Sequence, residues 1–235
     1  MTERLFDTAS ALTSMQKELT FQFKARYSTL GEVTNNTKHI WFVLHGYGQL
    51  AEYFIRKFDV VQNAETFVIA PEGLSRFYLQ DVTTRNQTGD TKVGATWMTK
   101  ENRLADIENY LHYLTEIYHK EVPENFTGKV TLLGFSQGAA TVSRWAADNQ
   151  IKFDRLILWA GIFPTDMDFD KVGNLLQHKE VLEVYGTRDP FLTDSRLKEM
   201  TQLNQRLGLN PKVISFEGQH ELNGEVLRKI SEGDY

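Results

Sequence analysis

A serine stands between two glycines in Gly134-Phe135-Ser136-Gln137-Gly138. The pentapeptide follows an apolar run, Lys129 to Leu133, and precedes a helix-compatible stretch, Ala139 to Ala147. Strand, sharp turn and helix together are the setting in which a G-x-S-x-G serine is raised above a sheet edge as a nucleophile. The turn is strained, and bulky side chains at 134 and 138 would collide with the adjoining strand and helix backbone. The helix behind the serine also places the positive end of its dipole where negative charge develops. Without that setting the same residues are a glycine-rich turn with an incidental serine. Ser136 is therefore the candidate nucleophile, and the chemistry it suits is attack on an acyl carbonyl.

A serine hydroxyl needs a base. In strand–elbow–helix hydrolases the order along the chain is Ser, acid, His, with the partners at the carboxyl ends of later strands. Of six histidines, only His178 and His220 follow Ser136. His178 precedes the run Val181 to Tyr185 and so lies at the wrong end. His220 follows Val213 to Phe216 through Glu217-Gly218-Gln219, at the right end. It is the candidate base. His112 and His119 fall on a helix, and His39 opens a strand, where a surface position is expected. The first candidate for the acid is Asp189, in the tight loop Gly186-Thr187-Arg188-Asp189-Pro190. Its rivals are Asp166 and Asp168, which follow the run ending at Ala160. Aspartate before proline is also common in ordinary turns.

Acyl transfer needs donors for an oxyanion. The backbone N–H of Gln137 is one, as the residue after the nucleophile. The loop His45-Gly46-Tyr47-Gly48-Gln49 supplies the other, with Tyr47 N–H the choice, because its glycines let amides turn inward. His45 is expected to hold this loop. Apolar residues beyond the strand ends are expected to build a pocket for an acyl or aryl group: Phe77, Trp97, Met98, Ile162, Phe163 and Leu192. Each of them is equally well explained as packing a loop down.

These residues need a sheet to position them. Short, nearly continuous apolar runs occur at Ile40 to Leu44, Thr66 to Ala70, Lys129 to Leu133, Leu156 to Ala160, Val181 to Tyr185 and Val213 to Phe216. Such runs indicate strands covered on both faces. Helix-period segments lie between them, notably Glu101 to Glu121, with Leu104, Ile107, Leu111, Leu114 and Tyr118 inward, and Asp194 to Leu207. Alternating strands and helices predict an α/β fold with a mostly parallel central sheet and helices on both faces. Alternation over Leu19 to Tyr27 predicts an antiparallel N-terminal edge strand. Residues 1–235 read as one domain, with a polar lead-in over 1–18 and a long loop over 72–99 above the site.

The segment His45-Gly46-Tyr47-Gly48, the pentapeptide around Ser136, Gly186-Thr187-Arg188-Asp189-Pro190, Gly218-Gln219-His220 and Val68-Ile69-Ala70-Pro71 together resemble the α/β-hydrolase superfamily. Within it they are most similar to the phospholipase/carboxylesterase family, which includes acyl-protein thioesterases. The resemblance spans about residues 38–235 and implies a serine esterase or thioesterase with the triad Ser136, Asp189 and His220. Members of that family commonly carry an aspartate after H-G-x-G, where this chain has Gln49. The 72–99 segment departs from the family loop, although Trp97 stands where the family has an aromatic.

Composition sets outer bounds. The chain has 235 residues, a net charge of -5 and no cysteine. That excludes disulfides, thiolate metal sites and a cysteine nucleophile. The acidic balance argues against a nucleic-acid partner. The first residues lack a signal-peptide pattern, and no apolar run is long enough to span a bilayer, so a cytoplasmic protein without integral membrane association is expected. A small-molecule ester or thioester substrate and no cofactor are expected. Oligomeric state is not legible. A serine peptidase on the same triad, and a silent hydrolase fold used as a binding module, stay open as alternatives.

Overall fold

The computed structural model describes residues 15–235. The greater part of the 1–18 lead-in thus lies outside the described residues. Seven strands form the main sheet: β1 (Tyr27–Leu30), β2 (His39–Leu44), β3 (Thr66–Pro71), β6 (Lys129–Phe135), β7 (Arg155–Trp159), β8 (Glu180–Gly186) and β9 (Lys212–Phe216). Their spatial order is β1-β3-β2-β6-β7-β8-β9. All neighbours are parallel except β1 and β3. This is the α/β sheet with an antiparallel edge that the sequence predicts.

The continuous apolar runs serve two cores at once. Within β2, Ile40, Phe42 and Leu44 join one cluster while Trp41 and Val43 join the other. Leu156 and Leu158 of β7 divide in the same way from Ile157 and Trp159. The period-two pleat sends alternate side chains to opposite faces. Helices α3 (Arg103–Glu121), α4 (Gln137–Asp148), α5 (Phe169–Leu176) and α6 (Asp194–Leu207) contribute to the first core. Helix α1 (Ala51–Phe54), the 3-10 turn Ile55–Phe58 and α7 (Gly224–Glu232) cover the second. No helix among the described residues is long and apolar enough to cross a membrane.

Four expectations are corrected. The edge strand begins only at Tyr27, which pairs with Pro71. There β3 ends, so the described residues before Tyr27 have no ladder partner, and Leu19, Phe21 and Phe23 are exposed. The arm is instead anchored by Arg26, whose guanidinium donates to the buried Glu72 carboxylate. Second, the 72–99 segment is structured: β4 (Ser75–Tyr78) and β5 (Val93–Thr96) pair antiparallel, with α2 (Val82–Thr88) between them. Third, Leu104 is exposed in the first turn of α3, whose buried stripe runs through Tyr110, Leu114, Ile117 and Tyr118. Fourth, His39 is half-buried, and its Nε2 lies 2.8 Å from Thr131 Oγ1. Burial first, then the nearby Lys129 and Arg155 charges, push its pKa down to about 3.

A carboxyl group is sealed in the first core. Glu183 of β8 is 1% exposed, and both its oxygens accept from Asn204 Nδ2 of α6 at 3.0 Å. Burial pushes the carboxyl up to about 7. The folded chain therefore keeps a proton that the unfolded chain releases above about 4.5, and stability falls as pH rises between those values. Replacing Glu183 by Gln removes this penalty. Relative to the parent, Glu183→Gln should be more favourable by about 2 kcal/mol near pH 8 than near pH 5, read by urea unfolding at both.

Candidate active site

The parallel strands point their carboxyl ends to one edge, and the site lies there. Strand β2 runs on to β3 on one side while β6 adjoins it on the other. Such a reversal of strand order opens a crevice at the sheet edge. The loop after β2 and the turn after β6 flank that crevice.

The turn is built by clearance. Ser136 has φ 55 and ψ -116, outside the regions that side chains ordinarily adopt. A Cβ at Gly134 would lie 2.2 Å from the Gly138 carbonyl oxygen, and one at Gly138 would lie 2.4 Å from the Leu44 carbonyl oxygen. Ser136 N–H donates to the Trp159 carbonyl of β7 at 2.8 Å, tying the turn to the neighbouring strand. Gln137 then opens α4.

His220 meets the serine from the loop after β9. Its Nε2 lies 2.9 Å from Ser136 Oγ and its Nδ1 lies 2.7 Å from Asp189 Oδ2. The Asp189 side chain is 1% exposed and that of His220 is 22% exposed. The loops carrying them are bonded to each other: Thr187 N–H donates to Phe216 O, and Arg188 N–H to Gly218 O. The indole N–H of Trp159 donates to Glu221 O, fixing the residue after His220. Asp166 and Asp168 are engaged elsewhere. Asp166 pairs with Arg103 at 2.5 Å and Arg144 at 2.7 Å, and those guanidinium groups hold its carboxyl below the usual range against the opposing effect of burial. Asp168 caps α5 by accepting from Lys171 N–H.

The loop after β2 is held as expected of His45. This residue is fully buried, and burial lowers its pKa. Its Nε2 accepts from Gly73 N–H at 3.0 Å, which leaves Nδ1–H to donate to Gly46 O at 2.8 Å. Gln49 Oε1 accepts from Gly46 N–H at 2.8 Å, so the amide does the holding where the similar family carries an aspartate. Neither Tyr47 N–H nor Gln137 N–H is used by any of the loop and cap hydrogen bonds.

The Gln137 side chain brackets the strap that follows β5. Its Oε1 lies within hydrogen-bond reach of Thr96 Oγ1 and Trp97 N–H, and its Nε2 within reach of Thr96 Oγ1 and Met98 O. The sequence marks Gln137 only for its backbone.

The expected pocket residues separate into two groups. Trp97, Ile162 and Phe163 are buried in the first core, and Trp97 also stacks on His45 and donates to its carbonyl. Their packing accounts for their apolar character without a ligand. Phe77, Met98 and Leu192 are half-buried, and Phe77 stacks on the exposed Tyr47 ring at 5.0 Å. An open cavity of about 800 Å³ is lined by Leu50, Tyr53, Phe54, Leu79 and Val93 among others, and includes none of the expected six. Phe191, absent from those expectations, lies against the His220 ring at 4.8 Å. No cluster of three or more His, Asp or Glu side chains among the described residues is placed to hold a metal ion.

A family model described as Serine hydrolase (FSH1) matches residues 34–222. The chain belongs to this serine hydrolase family. The matched span takes in Ser136, Asp189 and His220 together. No curated protein sequence matches the chain. Among solved structures, acyl-protein thioesterase 2 of Zea mays is similar with a TM-score of 0.66 at 14% identity, covering 89% of this chain and 97% of its own. A Bacillus cereus carboxylesterase is similar with a TM-score of 0.62 at 17% identity, covering 89% and 93%. A Mesorhizobium loti carboxylesterase is similar with a TM-score of 0.63 at 16% identity, covering 88% and 94%. These likenesses establish a shared α/β-hydrolase fold, in keeping with the superfamily resemblance of the sequence.

The elbow is the part of this site least able to give way. Gly134→Ala drives a Cβ into backbone rather than into a flexible side chain. It should destabilise the fold by roughly 3 kcal/mol or more, read as a lowered midpoint in chemical unfolding.

Proposed function

We propose that the chain hydrolyses carboxylic esters or thioesters through an acyl-enzyme on Ser136. The observation that carries this reading is the unbroken run of two hydrogen bonds from Asp189 through His220 to Ser136 Oγ. In this mechanism His220 Nε2 takes the Ser136 proton as Oγ attacks the acyl carbon. Asp189 keeps the other ring proton on Nδ1 and stabilises the imidazolium that forms. The N–H groups of Tyr47 and Gln137 receive the oxyanion. A donor of this kind is worth roughly 3–4 kcal/mol in the transition state.

The tetrahedral intermediate collapses when His220 returns the proton to the leaving oxygen or sulfur. Water then enters, loses a proton to His220 and attacks the acyl carbon; the bond to Oγ breaks, His220 returns the proton to Oγ, and the acid leaves. Every step uses groups of the chain itself. Ester and thioester differ only in the leaving atom, and the same residues serve both.

Fluorophosphonate labelling followed by peptide mass spectrometry should modify Ser136 rapidly and leave the His220→Ala protein unmodified. Ser136→Ala should lower kcat/KM on short acyl esters by several orders of magnitude. Turnover that survives this change would remove the acyl-enzyme reading, and unlabelled, well-folded parent protein would favour a binding module.

The acid is tested separately. Asp189→Asn should lower kcat by roughly 10⁴-fold, the scale expected when the imidazole loses its orienting carboxylate. Asp166→Asn should act chiefly on stability through Arg103 and Arg144. Steady-state kinetics on both variants decides between them, and a larger kcat loss from Asp166→Asn would move the acid to the loop after β7.

A further inference from the structure

We propose that Phe191 is the leaving-group subsite of this enzyme and that it selects esters or thioesters of apolar, alkyl or aryl, alcohols and thiols. The inference rests on the triad reading above and extends it to the half of the substrate that departs first.

The chemistry fixes where that half must lie. When the tetrahedral intermediate collapses, the bond from the acyl carbon to the leaving oxygen or sulfur breaks, and that atom takes the proton from His220 Nε2. Proton transfer requires the leaving atom within about 2.6–3.2 Å of Nε2. Whatever is attached to it therefore lies beside the imidazole.

Two aromatic rings flank that imidazole. Phe135 is buried, with its centroid 5.0 Å from that of His220, and belongs to the second core. Phe191 stands at 4.8 Å with an interplanar angle of 69° and is 70% exposed. Neither hydrophobic core includes Phe191. Its ring thus contributes little to folding, while its exposed apolar surface gains free energy when a ligand covers it.

The backbone that carries the ring is nevertheless held in place. Phe191 N–H donates to Asp189 Oδ1 at 2.9 Å, so the acid that orients His220 also orients the backbone of Phe191. Pro190 restricts the backbone immediately before it. The nearby Arg188 cation is offset by Glu217 at 3.4 Å, which leaves no unbalanced cation on this loop to draw an anionic leaving group. An exposed aromatic ring on a tethered backbone, without a free charge beside it, suits an apolar leaving group.

The test holds the acyl group constant and varies the alcohol. Methyl, n-hexyl and benzyl acetate are compared on the parent, Phe191→Ala and Phe191→Leu. Phe191→Ala should reduce kcat/KM for the hexyl and benzyl esters roughly 10-fold more than for the methyl ester, the scale of a lost apolar contact in a specificity pocket. Phe191→Leu should restore most of the preference. The loss should fall on acylation rather than on deacylation of the common acetyl-enzyme, since the alcohol has left by then. Equal losses on all three esters would overturn the proposal and make Phe191 a support for His220. An unchanged preference for apolar alcohols would overturn it as well. Ser136→Ala assayed alongside separates the two readings: if it keeps turnover, the triad reading itself fails, whatever Phe191 does.

Discussion

The site depends on one residue held in a backbone conformation that it would not adopt by itself. Ser136 at φ 55 and ψ -116 carries a local cost of about 1–3 kcal/mol, which persists only if the surroundings fix it from several sides. Strand β6 is buried along almost its whole length, between β2 and β7, and delivers the chain to the turn without slack. Helix α4 leaves at once, close enough that Gly134 and Gly138 must lack a Cβ. Gly161 obeys the same limit from outside the motif, because a Cβ there would lie 2.7 Å from the Ser136 carbonyl oxygen. A two-core sheet supplies the rigidity, and the strain leaves the hydroxyl raised above it.

Bringing His220 to that hydroxyl is a second problem, solved through strand β7. Trp159 accepts from Ser136 N–H through its carbonyl and donates through its indole to Glu221, the residue after His220. One buried residue thereby bridges the Ser136 turn and the His220 loop, although Asp189 and His220 come from β8 and β9. The loops of those last two strands close on each other because Gly186 has no side chain. A Cβ there would lie 2.4 Å from the carbonyl oxygens of both Gly218 and Gln219. The hydrogen bonds from Thr187 and Arg188 require that approach. Backbone contact between the two loops thus places Asp189 and His220 side by side.

The sequence makes some of this legible and hides the rest for physical reasons. Strands β2, β3, β6, β7 and β8 are covered on both faces, so their apolar runs are continuous and stand out. Strand β9 is an edge, and Val213 is exposed there. Alternation over Leu19 to Tyr27 has the same period as a strand, but a strand also needs a partner, and the ladder with β3 ends where Tyr27 pairs with Pro71. Ser136 and His220 are readable because glycines and chain order constrain them. Asp189 is distinguished from Asp166 and Asp168 by its contact with His220 Nδ1 and by the ion pairs and the cap that occupy its rivals. Phe191 gives no signal in sequence, since an aromatic in a turn is ordinary until the loop sets it against the imidazole.

Gln49 and Gln137 show why motif matching reads positions better than roles. At Gln49 the chain departs from the similar family's aspartate, yet the amide oxygen accepts from Gly46 N–H and the loop keeps its shape. A neutral acceptor performs this task without placing a carboxylate in the loop after β2. At Gln137 the motif marks a backbone donor, while the side chain binds the strap from Thr96 to Met98. The strap in turn buries Trp97 against His45, which holds Gly46 and Gly73. The two segments bearing the proposed oxyanion donors are therefore linked by side chains through the core. The strap thus packs between the loop after β2 and the turn at Ser136 without itself bonding to Ser136.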